Sequence, residues 1–218
     1  WKRFAAGHPE HRSEARLKKA GEGWTPSSAM RTPVFWGLSQ VFFCTATAMF
    51  SIVVQLVAFF VDAGFSPLAA ATAYGALGML SAASIMASGF VSDRFGYRQT
   101  VTVSFVGTAA GMLILIFLTT SPSHLLLVLF VLLFGLCMGA RGPIVASVST
   151  RYFAGPHAAT IYGAIYATNA LGAAFGSFIG GVLHDLTGGY RIGLAFAMFF
   201  IAFAAAPFWT IPALRNFR

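Results

Sequence analysis

One charged side chain lies inside a long apolar run of the sequence, and its chemistry is the most specific in the chain. Arg141 precedes Arg151 by ten residues, which corresponds to roughly 15 Å along an α-helix. A cation near the middle of a bilayer costs at least ~2.5–3.5 kcal/mol, so a guanidinium at that depth normally faces a bundle interior or a water-filled cavity. Its planar fork of donors suits carboxylate ions, which can accept two parallel hydrogen bonds from it.

The sequence leaves the counter-ion of Arg141 open. Asp62, Asp93 and Asp185 all lie at the ends of apolar runs, and no acid occurs at the depth of the arginine. The partner is an anionic ligand, a carboxylate from elsewhere in the protein, or backbone carbonyl groups that Pro143 leaves unbonded. A further alternative is a shallower arginine whose long side chain extends to the membrane interface.

A second group of polar side chains is suited to binding a small polar ligand at similar depth. Tyr162, Tyr166 and Asn169 recur at positions i, i+4 and i+7 and therefore share one face of a helix. Such a face can line a pocket, although hydrogen bonds between neighbouring helices would also explain these residues. The candidate lining residues on earlier apolar runs are Gln55, Tyr74 and Ser81.

Gly139, Gly142 and Pro143 surround Arg141 and predict a bend in its helix. Proline inside a helix removes one backbone hydrogen bond and is a frequent cause of kinks. The bend would serve as a hinge during a conformational change. The alternative is that these residues reflect the ordinary use of glycine and proline in membrane helices.

Six apolar segments must position these residues. The 218 residues are 57% hydrophobic and 9% charged, whereas a soluble domain carries about 25% charged residues. A bilayer core of roughly 30 Å needs about 20 helical residues, and open strands cannot cross it. We therefore predict an all-α membrane protein with six transmembrane helices. The segments are Val34–Val61, Leu68–Val91, Thr100–Thr119, His124–Val148, Ala158–Leu183 and Ile192–Leu214.

The basic residues are unevenly distributed about these segments. Seven of the fourteen lie in residues 1–33, which we interpret as a cytoplasmic linker with a short surface helix around Glu10–Ala20. With that linker inside, twelve basic residues are cytoplasmic and Arg191 alone is outside, as the positive-inside rule expects. The bundle would then occupy residues 34–214, and a cytoplasmic tail residues 215–218. This distribution explains the net charge of +8 without a nucleic-acid partner.

Several classes of chemistry have no support in the sequence. Cys44 and Cys137 lie in apolar runs without metal-ligand spacing. We find no glycine loop with a phosphate-binding lysine and no pairing of a nucleophile with a base. We therefore expect no metal, no cofactor, no enzymatic activity and no ATP-driven transport.

The stretch GFVSDRFGYRQ, Gly89 to Gln99, connects the second and third segments. Gly96 is suited to the positive φ of a tight turn, and Gly89 to close approach of a neighbouring helix. The arginines suit anionic headgroups or carboxylates. Basic residues that anchor the cytoplasmic end of a membrane helix would explain the arginines, but they would not explain an Asp–Arg pair between two glycines. The residues that define the pattern are Gly89, Asp93, Arg94, Gly96 and Arg98.

This pattern resembles the signature cytoplasmic loop of the major facilitator superfamily, with Tyr97 where the family often has a basic residue. The stretches SAMRTPVFWGLSQVFF and HDLTGGYRIG are similar to its central-loop exit and to its link between helices eleven and twelve. GARGP resembles its monocarboxylate-porter-like and oxalate/formate-antiporter-like branches. The resemblance implies that the loop latches neighbouring helices during exchange between outward-open and inward-open states.

The resemblance further implies the C-terminal half of a twelve-helix carrier, completed by an N-terminal six-helix half. In that family the first, second, fourth and fifth helices of this half line the cavity. The implied function is alternating-access transport of a small organic anion such as a monocarboxylate, by symport or antiport, in a bacterial inner membrane. Arg141 would neutralise the carboxylate, and Asn169 and Tyr166 would orient it. The alternative is a membrane scaffold or sensor in which Arg141 pairs with a partner's acid.

Overall fold

The computed structural model describes residues 23–215, and within that range the chain is helical and contains no β-strand. Six helical stretches are long and apolar enough to cross a membrane, and we call them spans one to six. This confirms the predicted all-α fold with six transmembrane helices. The surface helix predicted around Glu10–Ala20 lies outside the described residues. The spans are Pro33–Asp62, Pro67–Phe95, Tyr97–Leu118, His124–Tyr152, Ala158–Thr187 and Arg191–Thr210.

Successive spans alternate in direction, so the bundle has two ends. One end contains the turn at Gly96 between spans two and three, and we call it the Gly96 end. The opposite end contains the turn between spans five and six, and we call it the Tyr190 end. Spans one and two begin at prolines that follow a capping side chain: Thr32 accepts from the Phe35 amide at 3.3 Å, and Ser66 from the Ala69 amide at 3.2 Å.

Three spans are interrupted and consist of two helices each. The breaks fall at Val54–Gln55 in span one, at Gly139–Ala140 in span four and before Pro207 in span six. In span four, Pro143 has no amide hydrogen to donate to the carbonyl of Gly139, which explains the interruption of the helix at this point. The paired helices are Pro33–Val53 with Leu56–Asp62, His124–Met138 with Arg141–Tyr152, and Arg191–Ala205 with Pro207–Thr210.

The connection between spans two and three is shorter than predicted. Span two continues to Phe95, beyond the expected end at Val91, and span three begins at Tyr97. Of the predicted loop, only Gly96 lies outside a helix, with a φ of +86°. The expected loop boundaries were wrong because charged residues end the apolar run while the backbone continues its helical hydrogen bonds. Spans four and five likewise extend past their predicted ends.

Three glycines of span five hold spans one and five close together. At each of them, an added Cβ would overlap a backbone carbonyl oxygen of span one. The hydroxyl of Thr47 donates to the carbonyl of Gly172 at 3.2 Å across this seam. Glycine at every fourth position of a helix favours this kind of close packing between membrane helices. The facing pairs are Gly172 with Phe43, Gly176 with Thr47, and Gly180 with Ser51.

The chain just before span one packs against the bundle. Thr25 and Ser28 form a reciprocal cap on the short helix Pro26–Ala29. Trp24 makes an edge contact with Phe153 at 5.4 Å between ring centres and stacks on Tyr152 at 6.0 Å. The end of the predicted linker therefore rests on the end of span four at the Gly96 end.

The glycine seam generates the first prediction. Gly176→Ala should lower the apparent melting temperature of the purified protein, because the added Cβ forces spans one and five apart, at a cost of about 1–3 kcal/mol. Gly181→Ala is the matched control on the same helix, since nothing lies within 4 Å of its added Cβ. Equal melting temperatures for the two variants would contradict the close approach of these spans.

Candidate functional site

Arg141 is the first residue after the break in span four, and it lies inside the bundle. Its side chain is 2% exposed. Nη2 donates to the Thr108 hydroxyl at 2.8 Å, and the guanidinium carbon lies 4.9 Å from the centre of the Phe105 ring. Both partners belong to span three. The side chain does not extend to the surface of the described bundle, which is what a shallow arginine reaching the membrane interface would require.

The guanidinium lacks a charged partner among the described residues. Nε and Nη1 are buried and make no hydrogen bond. Contact with an aromatic face is worth about 2 kcal/mol when desolvated, which does not offset the cost of taking an unpaired charge out of water. The arrangement therefore holds a positive charge and free donors in a low-dielectric interior, where they would bind an anion strongly.

The two tyrosines of span five lie together but away from Arg141. Tyr162 and Tyr166 both pack on Phe42 of span one, at 6.3 and 5.4 Å between ring centres. Tyr166 is 51% exposed, and Asn169 is half-buried one turn further along the same helix. The predicted shared face of the tyrosines is therefore present. Among the described residues, no contact joins Arg141 to this face in the present conformation.

The other candidate lining residues lie at three separate places. Gln55 is at the break of span one, beside Gly180 and towards the Tyr190 end. Ser81 is buried where spans two and four cross, next to Gly139. Tyr74 lies partly exposed on span two. The structure does not gather these three side chains into one cavity with Arg141.

The Gly139–Pro143 segment has two different glycine environments. A Cβ at Gly139 would overlap the Ser81 carbonyl oxygen, so this glycine allows spans two and four to touch. Nothing within the described chain lies within 4 Å of the Cβ position of Gly142. The break is observed at Gly139–Ala140, and its action as a hinge remains a prediction.

The residues after Gly96 connect the start of span three to two other spans, four and six. The Tyr97 hydroxyl lies 3.1 Å from the Ser147 hydroxyl of span four, and Arg151 lies 5.5 Å from the Tyr97 ring centre. Arg98 lies over the ring of Trp209 in span six, at 3.8 Å. Sequence reasoning assigned Arg98 to headgroups or carboxylates and missed Trp209, which is far away in the chain.

The charged residues before Gly96 do not pack into the described bundle. Asp93 and Arg94 lie on the last turn of span two and are exposed. Within the described chain, nothing lies within 4 Å of the Cβ position of Gly89. The expected close approach at Gly89 is therefore not made to any described neighbour. Met86 and Phe90, 85% and 69% exposed, lie on the same stretch of helix.

A second polar cluster, which sequence reasoning did not identify, lies at the Tyr190 end. The Tyr190 hydroxyl donates to Asp62 Oδ2 at 2.6 Å, and Arg191 Nε donates to the Thr119 hydroxyl at 3.4 Å. Burial, followed by the hydrogen bond to Asp62 and its negative charge, raises the pKa of Tyr190 to about 12. The sequence gives one indication of this cluster: Asp62 and Arg191 are isolated charged residues, each beside a short connection between apolar segments.

Comparison with known proteins identifies one family. The model that describes the Major Facilitator Superfamily matches residues 3–121 and 62–216, so the two matches together take in all six spans. They also include the Gly96 turn and Arg141. No curated protein matches the chain.

The two glycines that flank the Asp93–Arg94 pair should respond differently to alanine. Gly96→Ala places a side chain at a φ of +86° and should destabilise the protein by about 1–3 kcal/mol. Gly89→Ala lies in a helix with open space around it and should leave the melting temperature unchanged or slightly higher. Thermal unfolding of both purified variants checks this. A Gly96→Ala protein as stable as the parent would contradict the turn geometry.

Proposed function

Since the chain belongs to the major facilitator superfamily, whose members are membrane transporters, we propose that it is the C-terminal half of a twelve-helix secondary carrier for a small organic anion. The substrate class is a monocarboxylate, and the carrier works by alternating access. Transport is coupled to an ion or to a counter-moving anion. Lipid contact along the spans follows from the six apolar helices themselves.

The buried charge of Arg141 is the observation that supports an anionic substrate. Every acid of the sequence lies in residues 1–22 or at the end of a span, so the spans offer no internal counter-ion. Thr108 uses one of the five donor hydrogens of the guanidinium. A substrate carboxylate can accept from two of the remaining donors and neutralise the charge at the same time.

The position of Arg141 beside a helix break links binding to conformational change. In the present conformation the guanidinium is covered and held on span three by Thr108 and Phe105. The backbone break at Gly139–Ala140 directly precedes it. Bending of span four at the Gly139–Pro143 hinge would swing the guanidinium towards the exposed face of span five, where Asn169 and Tyr166 orient the substrate. Alternating access requires such a conformational change, because the binding site must open to one side of the membrane at a time.

The proposed N-terminal half has a surface available to it. Spans two and five are the least buried of the six, and in the family these helices line the cavity between the halves. Met79 and Met86 of span two and Phe178 of span five present large exposed apolar side chains there. The Gly89, Asp93 and Arg94 side of span two lies on the exposed part of the Gly96 end. We assign it the latch function against the other half.

The membrane orientation completes the proposal. Both termini lie in the cytoplasm, and the protein resides in a bacterial inner membrane. The support is the distribution of basic residues along the sequence, because twelve belong to the stretches proposed to be cytoplasmic and Arg191 alone to those on the other side. Residues 1–33 then form most of the linker between the two halves, and residues 215–218 a short tail.

Transport by the intact carrier in proteoliposomes tests the role of Arg141. Arg141→Gln removes the charge and should raise the KM for a monocarboxylate by about 10- to 150-fold, because a hydrogen bond to a charged group contributes about 1.5–3 kcal/mol. Arg141→Lys keeps the charge but loses the planar fork of donors, so its KM should lie between those of the parent and the Arg141→Gln protein. Initial uptake rates over a range of labelled monocarboxylate concentrations give the KM directly.

Two controls separate anion binding from a structural role. Thr108→Val removes the hydroxyl that accepts from the guanidinium, but Arg141 keeps its charge. This variant should therefore change the KM less than Arg141→Gln does. Melting temperatures of all variants report on folding. An unchanged KM in a well-folded Arg141→Gln protein would exclude Arg141 as the anion-binding group. If the intact protein moves no organic anion while Arg141→Gln prevents assembly with a partner, the scaffold function replaces the proposed one.

A further inference from the structure

A cavity of about 340 Å³ opens at the Tyr190 end, within the lower range of small-molecule sites of ~300–1,000 Å³. We propose that this cavity binds the headgroup of an ethanolamine-type zwitterionic phospholipid, with its ammonium group at Asp62 and its phosphate at Arg191. The site is separate from the proposed substrate path. Its lining includes Phe59, Asp62, Thr119, Tyr190, Arg191 and Ile192.

One wall of the cavity is suited to an ammonium group. Asp62 carries a negative charge and accepts one hydrogen bond, from Tyr190, whereas an ionised carboxylate has about four acceptor positions. The rings of Phe59 and Tyr190 meet edge to face at 4.9 Å beside it. A carboxylate next to aromatic faces attracts a cation through both charge and ring quadrupole. A primary ammonium group can also donate hydrogen bonds to the carboxylate.

The positively charged residue of the lining, Arg191, is suited to binding a phosphate. Arg191 lies at the start of span six, and its Nε donates to the Thr119 hydroxyl. This contact fixes the side chain and leaves four of the five donor hydrogens of the guanidinium. Planar guanidinium groups bind phosphate oxygens through paired hydrogen bonds. Asp62 bonds to the Tyr190 hydroxyl and Arg191 to the Thr119 hydroxyl, and both hydroxyl groups are neutral. Each charge therefore remains available to a ligand that carries the opposite charges.

The surroundings favour a lipid over a soluble zwitterion. Asp62 ends span one, Thr119 follows span three and Arg191 begins span six, so the charges lie at the level where a bilayer has its headgroups. Ile192 lines the cavity and is 52% exposed. Phe117, two residues before Thr119, is 61% exposed. Acyl chains attached to a headgroup in the cavity would therefore meet apolar surface of spans three and six.

The lipids retained by the intact protein test this proposal. The protein is reconstituted into nanodiscs of phosphatidylethanolamine, phosphatidylcholine and phosphatidylglycerol, extracted mildly, and examined by native mass spectrometry. We expect phosphatidylethanolamine to be retained in preference to both other lipids. Phosphatidylcholine lacks ammonium hydrogens, and phosphatidylglycerol lacks the cation. Asp62→Asn should reduce the preference for phosphatidylethanolamine about two- to fivefold, the range of an exposed ion pair.

The variants are chosen so that folding and binding can be separated. Asparagine at position 62 keeps an oxygen that can accept from Tyr190, so the contact between spans one and six persists. Asp185→Asn is the matched control, because Asp185 lies at the same end, its side chain is 83% exposed, and it is not part of the lining. It should leave lipid retention unchanged. Arg191→Gln should reduce retention of all three lipids, since each contains a phosphate.

Three results would overturn the proposal. These are equal retention of phosphatidylethanolamine and phosphatidylglycerol by the parent protein, an Asp62→Asn protein with undiminished preference, and an equal effect of Asp185→Asn. Soluble phosphoethanolamine provides a further arm. Binding of this compound in detergent, with no preferred lipid in nanodiscs, would assign the cavity to a soluble zwitterion instead. None of these outcomes depends on organic-anion transport, so the proposal fails or holds independently of the function of Arg141.

Discussion

A positive charge buried within the bundle, with no counter-ion among the residues that the structure describes, is the constraint on which the functional account depends. Arg141 is 2% exposed, and two of its three guanidinium nitrogens have no hydrogen-bond partner among the described residues. Folding alone does not favour such an arrangement, because a well-packed apolar side chain at that place would avoid the desolvation cost. The two unpaired nitrogens of this buried cation are the observation on which the proposed anion binding rests.

The rest of the bundle contains a closely packed pair of spans and a span that is interrupted beside Arg141. Spans one and five are joined along glycines that bring the two backbones into contact, which resists sliding or separation. Span four, by contrast, is interrupted directly before Arg141 and carries a proline just after it. The Gly96 end is tied together by aromatic and cationic contacts, including Arg98 on Trp209. Motion of span four against this frame would change the exposure of the guanidinium while the frame stays intact.

Much of this architecture could be predicted from the sequence, for identifiable physical reasons. Inside lipid, backbone groups must form their hydrogen bonds within a helix, and the thickness of the bilayer sets the length of that helix. Apolar runs of that length therefore identified all six spans. Glycine at every fourth position of span five indicates close helix packing, although it does not identify span one as the neighbour. The end of span two was misplaced at Val91, because a helix can continue through charged residues once it leaves the apolar region. The polar contacts were not predictable: Tyr190 and Asp62 are 128 residues apart, and nothing local indicates that they meet. Counting residues gave the position of Arg141 along its helix, but nothing local in the sequence indicates that its side chain contacts Thr108 and Phe105 of span three.

A structure of the intact protein with a bound small monocarboxylate would test the central claim most directly. The account predicts a ligand carboxylate within hydrogen-bond distance, about 2.7–2.9 Å, of the Arg141 guanidinium. It also predicts that span four bends at Gly139–Pro143 relative to the present conformation. A ligand bound elsewhere, while Arg141 remains on Thr108 or pairs with an acid of the protein itself, would contradict the account.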